Sequence, residues 1–333
     1  MNSTAKETTV NVAVAQAGAI PFDTEACVDK AVRMIGEAAR AGAKVIVFPE
    51  AFIPGYPKGL NYGLVVGARD PAGREEFRLY LEAAIEVPGP QTQRLGEAAA
   101  AHSAYVVIGV IEREHGTCYC TVLFFAPSGR LLGKHRKLMP TALERMIWGF
   151  GDGSTLTVVD SPYGRIGSVI CWENYMPMLR MAMYSKDVAL YCAPTADDRD
   201  TWLSTMRHVA LEGRCFVLTA CQFIRKKDFP ETVRISLGDS PDTVLMRGGS
   251  AIVGPLGQVL AGPNFEGETI LAATLDLKEI GRGKFDFDVV GHYSRPDIFR
   301  LIVNEAPTSA VVVKPENDQP STKNPFEMSE PLT

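Results

Sequence analysis

The chain has 333 residues, 46% hydrophobic and 22% charged, with a net charge of −5 at neutral pH. That length is enough for a sizeable core in one large domain or two small ones, and the negative balance argues against a nucleic-acid groove or an anionic membrane surface as partner. No apolar stretch approaches the length of a bilayer span, and the opening MNSTAKETTVNV has no apolar core of a secretion signal, so a cytoplasmic setting is expected.

Taken in chain order, TVNVAVAQ at 9–16 alternates apolar and polar residues and reads as a strand. From about Thr24, the residues Cys27, Ala31, Met34, Ile35 and Ala38 fall on one helical stripe. Asp23 or Thr24 can cap that helix, and Gly42 can close it in the left-handed conformation. KVIVFPE is a continuous apolar run suited to a strand buried on both faces. Asp70-Pro71 reads as an N-cap followed by proline at the first helical position, opening a helix to about Ile85, and residues 92–102 read as another. AYVVIGVIERE, CYCTVLFFAPSG and RLLGKHRK are consecutive strands, with Pro-Ser-Gly turning between the last two. RIGSVICWE is a strand, followed by a helix containing Leu179 and Met183. VALYCAP, a helix over about 200–213 and CFVLTACQF continue the alternation. Residues 226–245 are polar and turn-rich, the composition of a surface insertion. SAIVGPLGQVLAG is a hairpin around Pro-Leu-Gly, and ETILAATLD is a further strand.

The early strand–helix–strand order demands parallel pairing, and the hairpins demand antiparallel pairing. A mixed-sheet α/β domain over residues 9–305 satisfies both, between a flexible stretch at 1–8 and a disordered, Pro-, Ser- and Glu-rich tail at 306–333. Propensity alone leaves open whether the strands form one sheet or two. The seven cysteines are an odd number and lie mostly in apolar runs, which fits free buried thiols in a reducing compartment. Cys118 and Cys120 form C-x-C with no second cluster at ligand spacing, so they read as two thiols on one strand face and not as a metal site. The histidines are scattered, and there is no Gly-rich phosphate loop. No metal and no organic cofactor is expected.

Three polar residues sit just beyond apolar strands: Glu50 after VIVFP, Lys137 after LLGKHR and Cys171 after RIGSVI. The ends of strands are where α/β proteins build sites. Each residue has a bland reading: an inert small thiol, a turn glutamate, a charged face. Together they complement one another. A thiol needs a base to become a nucleophile, glutamate supplies one, and lysine stabilises or protonates nitrogen in a C–N bond under attack. A helix starting near Pro177 would add its dipole in favour of a thiolate. No histidine adjoins Cys171 in sequence, which leaves a Cys/His pair unsupported.

FPEAF (48–52), HRKLMPTALER (135–145) and CWENYMP (171–177) resemble the three signature blocks of the nitrilase superfamily, in order and at its usual separations, and the resemblance extends over roughly residues 9–305. WGFGDGSTL (148–156), APTADDRDTW (193–202) and GHYSRPDIFRL (291–301) are similar to the nitrile-processing branch. The resemblance implies a four-layer α-β-β-α sandwich, Glu50 as general base, Lys137 as electrophilic stabiliser and Cys171 as nucleophile. Glu144 matches the second glutamate, which orients the lysine and a water; its bland reading is an ion pair on a helix face. Cys120 stands where relatives commonly have asparagine. Tyr56, Trp148, Trp172 and Tyr175 flank these blocks as candidate aromatic walls for the substrate, with core packing nearly as good an account of Trp148. The implied activity is hydrolysis of a small-molecule nitrile to the carboxylic acid and ammonia through a covalent thioimidate and thioester, by a homo-oligomer (a dimer or a larger, spiral assembly). The alternatives are an amide-hydrolysing or nitrile- or cyanide-hydrating relative, and a catalytically silent assembly module. The polar stretches at 54–75 and 226–245 read equally well as subunit contacts or as solvated loops.

Overall fold

Alternation decides where each face of the first strand goes. In the computed structural model, which describes residues 7–311, Val10, Val12 and Val14 point to one side and Ala13 and Ala15 to the other, and both sides are buried. Two buried faces mean that a layer covers each. The chain continues from β1 (Thr9–Gln16) through α1 (Thr24–Arg40), β2 (Val45–Val47), α2 (Pro71–Ala83), α3 (Pro90–Ala101), β3 (Tyr105–Glu114), β4 (Thr117–Phe125) and β5 (Leu131–Arg136). The second half is β6 (Val158–Val159), β7 (Arg165–Ser168), α4 (Pro177–Ser185), β8 (Val188–Thr195), α5 (Asp200–Gly213), β9 (Phe216–Cys221) and β10 (Phe223–Arg225). It closes with β11 (Val244–Arg247), β12 (Ser250–Val253), β13 (Val259–Asn264), β14 (Thr269–Asp276) and α6 (Lys278–Asp286).

The strands form two six-stranded sheets, in the orders β14-β1-β2-β3-β4-β5 and β13-β12-β9-β8-β7-β6, with β10 and β11 as a separate pair. Each sheet has a parallel centre, β1-β2-β3 in one and β7-β8-β9 in the other, with antiparallel strands outside it. The sheets face each other across Val12, Val14, Val47, Ile111 and Val122 on one side and Ile166, Leu190, Phe216 and Ile252 on the other. Helices α1 and α3 cover the first sheet through Cys27, Ala31, Ile35 and Leu95; α4 and α5 cover the second through Leu179, Met183, Trp202 and Met206. This is the expected α-β-β-α sandwich, and it answers the one-sheet or two-sheet question. Each large aliphatic side chain buried this way contributes about 1.5–3 kcal/mol.

The helix signals resolve as read. Asp23 Oδ1 accepts from the Ala26 N–H at 3.0 Å, Asp70 Oδ1 from Ala72 at 3.0 Å, and Gly42 takes φ +98° after α1. Cys118 and Cys120 are buried on the inter-sheet face of β4. Two readings differ. Residues 226–243 are not a free insertion: Phe229 and Val233 are buried, Arg234 pairs with Glu76 (2.7 Å) and Asp70 (2.8 Å), and the Ser236 N–H donates to the Gly59 carbonyl (2.8 Å). The polar stretches at 54–75 and 226–245 thus pack on each other; two apolar anchors among many polar residues do not show in composition. Residues 306–311, assigned to a disordered tail, include Thr308, whose N–H and hydroxyl donate to Asp152 Oδ2 at 2.7 and 2.9 Å. The remainder of that tail, 312–333, and residues 1–6 of the N-terminal stretch lie outside the described residues. Helix α6 escaped notice because Gly281 and Gly283 depress its helix propensity.

Candidate active site

Glu50, Lys137 and Cys171 each follow the last residues of a strand, and all three strand ends lie at one edge of the sandwich. β2 and β5 run in the same direction in the first sheet and deliver Glu50 and Lys137; β7 delivers Cys171 from the second. The Glu50 turn is pressed onto β3 at Gly109, where a Cβ would stand 2.3 Å from the Pro49 oxygen and 2.7 Å from the Ala51 nitrogen. Gln222 reaches across from the second sheet, its Nε2 donating to the Glu50 carbonyl at 2.9 Å. Lys137 is held by its own N–H, which donates to the Cys120 carbonyl at 2.8 Å. Cys171 opens a short 3-10 turn, Cys171–Tyr175, at φ +53°, a left-handed conformation that a non-glycine residue adopts at strained functional turns. Asn174 Nδ2 donates back to the Cys171 carbonyl at 2.8 Å and fixes that turn.

The side chains converge. Lys137 Nζ donates to Glu50 Oε1 at 2.6 Å and to Glu144 Oε2 at 2.8 Å. Lys137 and Glu50 are fully buried, and Cys171 is 4% exposed. Glu144 also accepts from the Tyr56 hydroxyl (2.6 Å) and the Thr141 N–H (2.6 Å), so it is not the helix-face ion pair with Arg145 that its sequence context also allowed. Glu50 Oε1 further receives the Cys120 thiol at 3.5 Å, while Glu50 Oε2 is buried with no hydrogen-bond partner among the described residues. Burial raises the Glu50 carboxyl above the usual range, with Lys137 opposing. Burial works against the Lys137 ammonium, but Glu50, Cys171 and Glu144 hold its pKa well above the ordinary lysine value. Burial pushes the Cys171 thiol up, and Glu50 adds to the shift. These shifts favour a neutral thiol beside an ammonium shared by two glutamates.

Sequence reasoning missed Thr195, whose hydroxyl donates to Cys171 Sγ at 3.1 Å and accepts from the Asp197 N–H at 2.9 Å. The signal was there: Thr195 ends the apolar run VALYCAP just as the other three residues end theirs. The 3-10 turn Cys171–Tyr175 stands in the chain between the thiol and the nine-residue α4, and the N–H groups of Cys171 and Trp172 meet no acceptor among the described residues.

A cavity of about 250 Å³ opens onto Cys171, lined by Tyr56, Lys58, Thr141, Glu144, Trp172 and the Ala196–Arg199 segment. Trp172 is oriented by its indole N–H on Asp197 Oδ2 (2.8 Å), with Arg199 stacked over the ring at 4.9 Å. Tyr56 and Trp172 thus line this cavity. Trp148 and Tyr175 do not. Trp148 is 2% exposed and packs behind Tyr56 and Lys137, 5.8 Å and 5.4 Å from its ring. Tyr175 turns its ring to Trp172 (5.7 Å) and Trp202 (6.1 Å) and is not among the residues that line the cavity. Proximity in sequence to a catalytic block did not settle which way a ring faces.

The carbon–nitrogen hydrolase profile matches residues 11–285. The chain is 61% identical to an aliphatic nitrilase of Sinorhizobium fredii, over 92% of this chain and 99% of that protein. It is 56% identical to a bifunctional nitrilase/nitrile hydratase of Lupinus angustifolius, over 93% of this chain and 90% of that one. Among solved structures it resembles a Saccharomyces cerevisiae member of the nitrilase superfamily, with a TM-score of 0.67 at 23% identity over 88% and 99% of the two chains, a likeness that shows the fold.

Proposed function

The chain belongs to the carbon–nitrogen hydrolase family, and from that premise we propose that it is a nitrilase in which Cys171 attacks a nitrile carbon. The observation that carries the assignment of roles is the buried Glu50–Lys137–Glu144 network facing the Cys171 cavity, with one Glu50 oxygen left free. Glu50 Oε2 takes the thiol proton as Sγ bonds to carbon. An ammonium has three donors; two are engaged by the glutamates, and the third meets the nitrogen as negative charge grows there, together with the Trp172 N–H. Lys137 gives that nitrogen a proton and regains one from Glu50, so the product of this step is a neutral thioimidate with Glu50 ionised again. Water, deprotonated by Glu50, adds to its carbon, and the tetrahedral adduct expels ammonia to leave a thioester. A second water releases the carboxylic acid and returns the thiol. Glu144 keeps the amine aimed, and Thr195 donates to sulfur whenever it carries charge. Breakdown of the tetrahedral adduct through sulfur instead of nitrogen would release the amide, the outcome for which the name of the bifunctional lupin relative speaks.

A panel of alkyl, arylalkyl and aryl nitriles with their amides, in which ammonia, acid and amide are measured separately, tests this reading. Acid and ammonia from nitriles support it; turnover of amides alone refutes it. Cys171→Ala should release no ammonia and keep its thermal transition, since a buried thiol of 4% exposure is replaced by a smaller apolar group. Retained turnover sinks the nucleophile assignment.

The proposal extends to a single hydrolase domain over 9–305, to a homo-oligomer and to a reducing, cytoplasmic setting. Exposed Phe285, Ile298, Phe299 and Ile302 support a subunit interface, and seven free, buried cysteines support the compartment. Among the described residues no helix is long and apolar enough to cross a membrane.

A further inference from the structure

His135 and Glu173 take no part in the chemistry above, yet both are fully buried and joined, Nε2 to Oε2, at 3.0 Å. The other ring nitrogen, Nδ1, stands 2.9 Å from the Thr155 carbonyl oxygen, which can only accept. With an acceptor facing each nitrogen, and with Glu173 raising its pKa against burial, the ring is favoured as an imidazolium. Glu173 is satisfied as a carboxylate: besides the imidazolium, its Oε2 accepts from the Ile170 N–H at 2.7 Å and its Oε1 from the Leu138 N–H at 2.6 Å. The two backbone donors are telling. Ile170 immediately precedes Cys171, and Leu138 immediately follows Lys137. One carboxylate therefore fastens the peptide that carries the thiol, after β7 of the second sheet, to the peptide that carries the amine, after β5 of the first. Among the described residues no other side chain accepts from the backbone N–H groups of both segments.

We propose that Glu173, itself held by the His135 imidazolium, is the positioning residue that sets the placement of Lys137 Nζ relative to Cys171 Sγ across the two sheets. The inference rests on the roles given to those two residues under the proposed function. A carbon–nitrogen hydrolase needs this register because sulfur attack and nitrogen stabilisation occur on adjacent atoms of the substrate, and a misplacement of about 1 Å loses about a hundredfold in rate.

Glu173→Gln keeps the shape but turns an amide NH2 toward one of the three donors, so one tie opens. Its kcat on butyronitrile or 3-phenylpropionitrile should fall about 100-fold, with KM within about threefold, because the cavity wall is untouched. His135→Gln retains a donor to Glu173 without the charge and should lose only about tenfold; His135→Leu should approach the loss of Glu173→Gln. The pair acts as one unit, so the double variant Glu173→Gln/His135→Leu should be no worse than Glu173→Gln alone. Iodoacetamide labelling of Cys171, followed by peptide mass spectrometry, reads the same geometry without turnover and should slow in step with kcat. Wild-type turnover with Glu173→Gln and His135→Gln both within threefold in kcat, or a loss confined to KM, or additive losses in the double variant, overturns the inference and leaves the nitrilase reading standing. A wild-type chain inert toward every nitrile overturns that reading and the inference with it.

Discussion

Replacing Thr195 by valine isolates one interaction at the nucleophile. Valine has nearly the same shape, so the packing at the end of β8 survives, and what disappears is a hydroxyl that donates to Cys171 Sγ at 3.1 Å and accepts from Asp197 at 2.9 Å. Thr195 is fully buried, so water does not replace it. A hydrogen bond to a charged partner contributes about 1.5–3 kcal/mol, and one to a neutral partner about 0.5–1.5 kcal/mol. In the resting enzyme the thiol is neutral; as Glu50 removes its proton, the sulfur becomes charged. The stronger bond is thus formed on the way to the transition state, and its loss lowers kcat/KM about ten- to a hundredfold. Orphaning the Asp197 N–H destabilises the fold by about 1–3 kcal/mol and loosens the carboxylate that orients Trp172, which raises KM modestly. Thr195→Ser keeps both bonds and should stay within about threefold of wild type. Steady-state ammonia release with a thermal melt for each variant measures all of this. The reasoning fails if Thr195→Val stays within twofold of wild type, or if Thr195→Ser is as impaired as Thr195→Val.

Glu50 must be ionised to act, and burial raises its pKa, so kcat/KM should fall on the acid side at a pH above the ordinary carboxylate value. Cys120→Asn puts a stronger donor on Glu50 Oε1 in place of a thiol at 3.5 Å; that favours the carboxylate, and the acid limb of the pH profile should move down. Gly109→Ala forces a methyl against the Pro49 oxygen and the Ala51 nitrogen, both backbone atoms, and should destabilise by about 1–3 kcal/mol while lowering kcat, read by melting and turnover. Burial opposes the charge on His135, but Glu173 outweighs it and raises the pKa above that of a free histidine. The pair's contribution is complete below the unfolded value, about 6.5, and is lost as pH rises through the higher folded value. The melting temperature of the wild type should therefore decline on the alkaline side more steeply than that of His135→Gln.

Much of this was legible in the chain. Alternation in TVNVAVAQ and the capping pairs at Asp23 and Asp70 depend on neighbours in sequence, and they located β1, α1 and α2 without reference to the rest of the fold. Glu50, Lys137 and Cys171 were visible because each terminates an apolar run, a property that is again local. What stayed hidden depends on distant partners. Thr195 gains meaning only when β8 lies beside β7, and the Glu173–His135 tie exists only once two sheets stack. Trp148 and Tyr175 were assigned to the cavity because they adjoin catalytic blocks, yet the direction a ring takes is set by Tyr56 and Trp202, which come from elsewhere in the chain. Two sheets in place of one followed from a family resemblance, since strand propensity says nothing about stacking.

The meeting of residues 56–77 with 226–243 bears on how such an enzyme changes its diet. Tyr56 and Lys58 stand in the cavity wall, and the residues just after them are braced from outside by Ser236 and Arg234. The reacting groups hang from strand ends, whereas this part of the wall hangs from a pair of loops that support one another. Substitutions in either loop can reshape the entrance while the thiol, the amine and the carboxylates keep their places. Apart from Tyr56, whose hydroxyl holds Glu144, selectivity and chemistry are thereby mechanically separate, and a library that spares Tyr56 would vary what the enzyme accepts before it altered how the enzyme reacts.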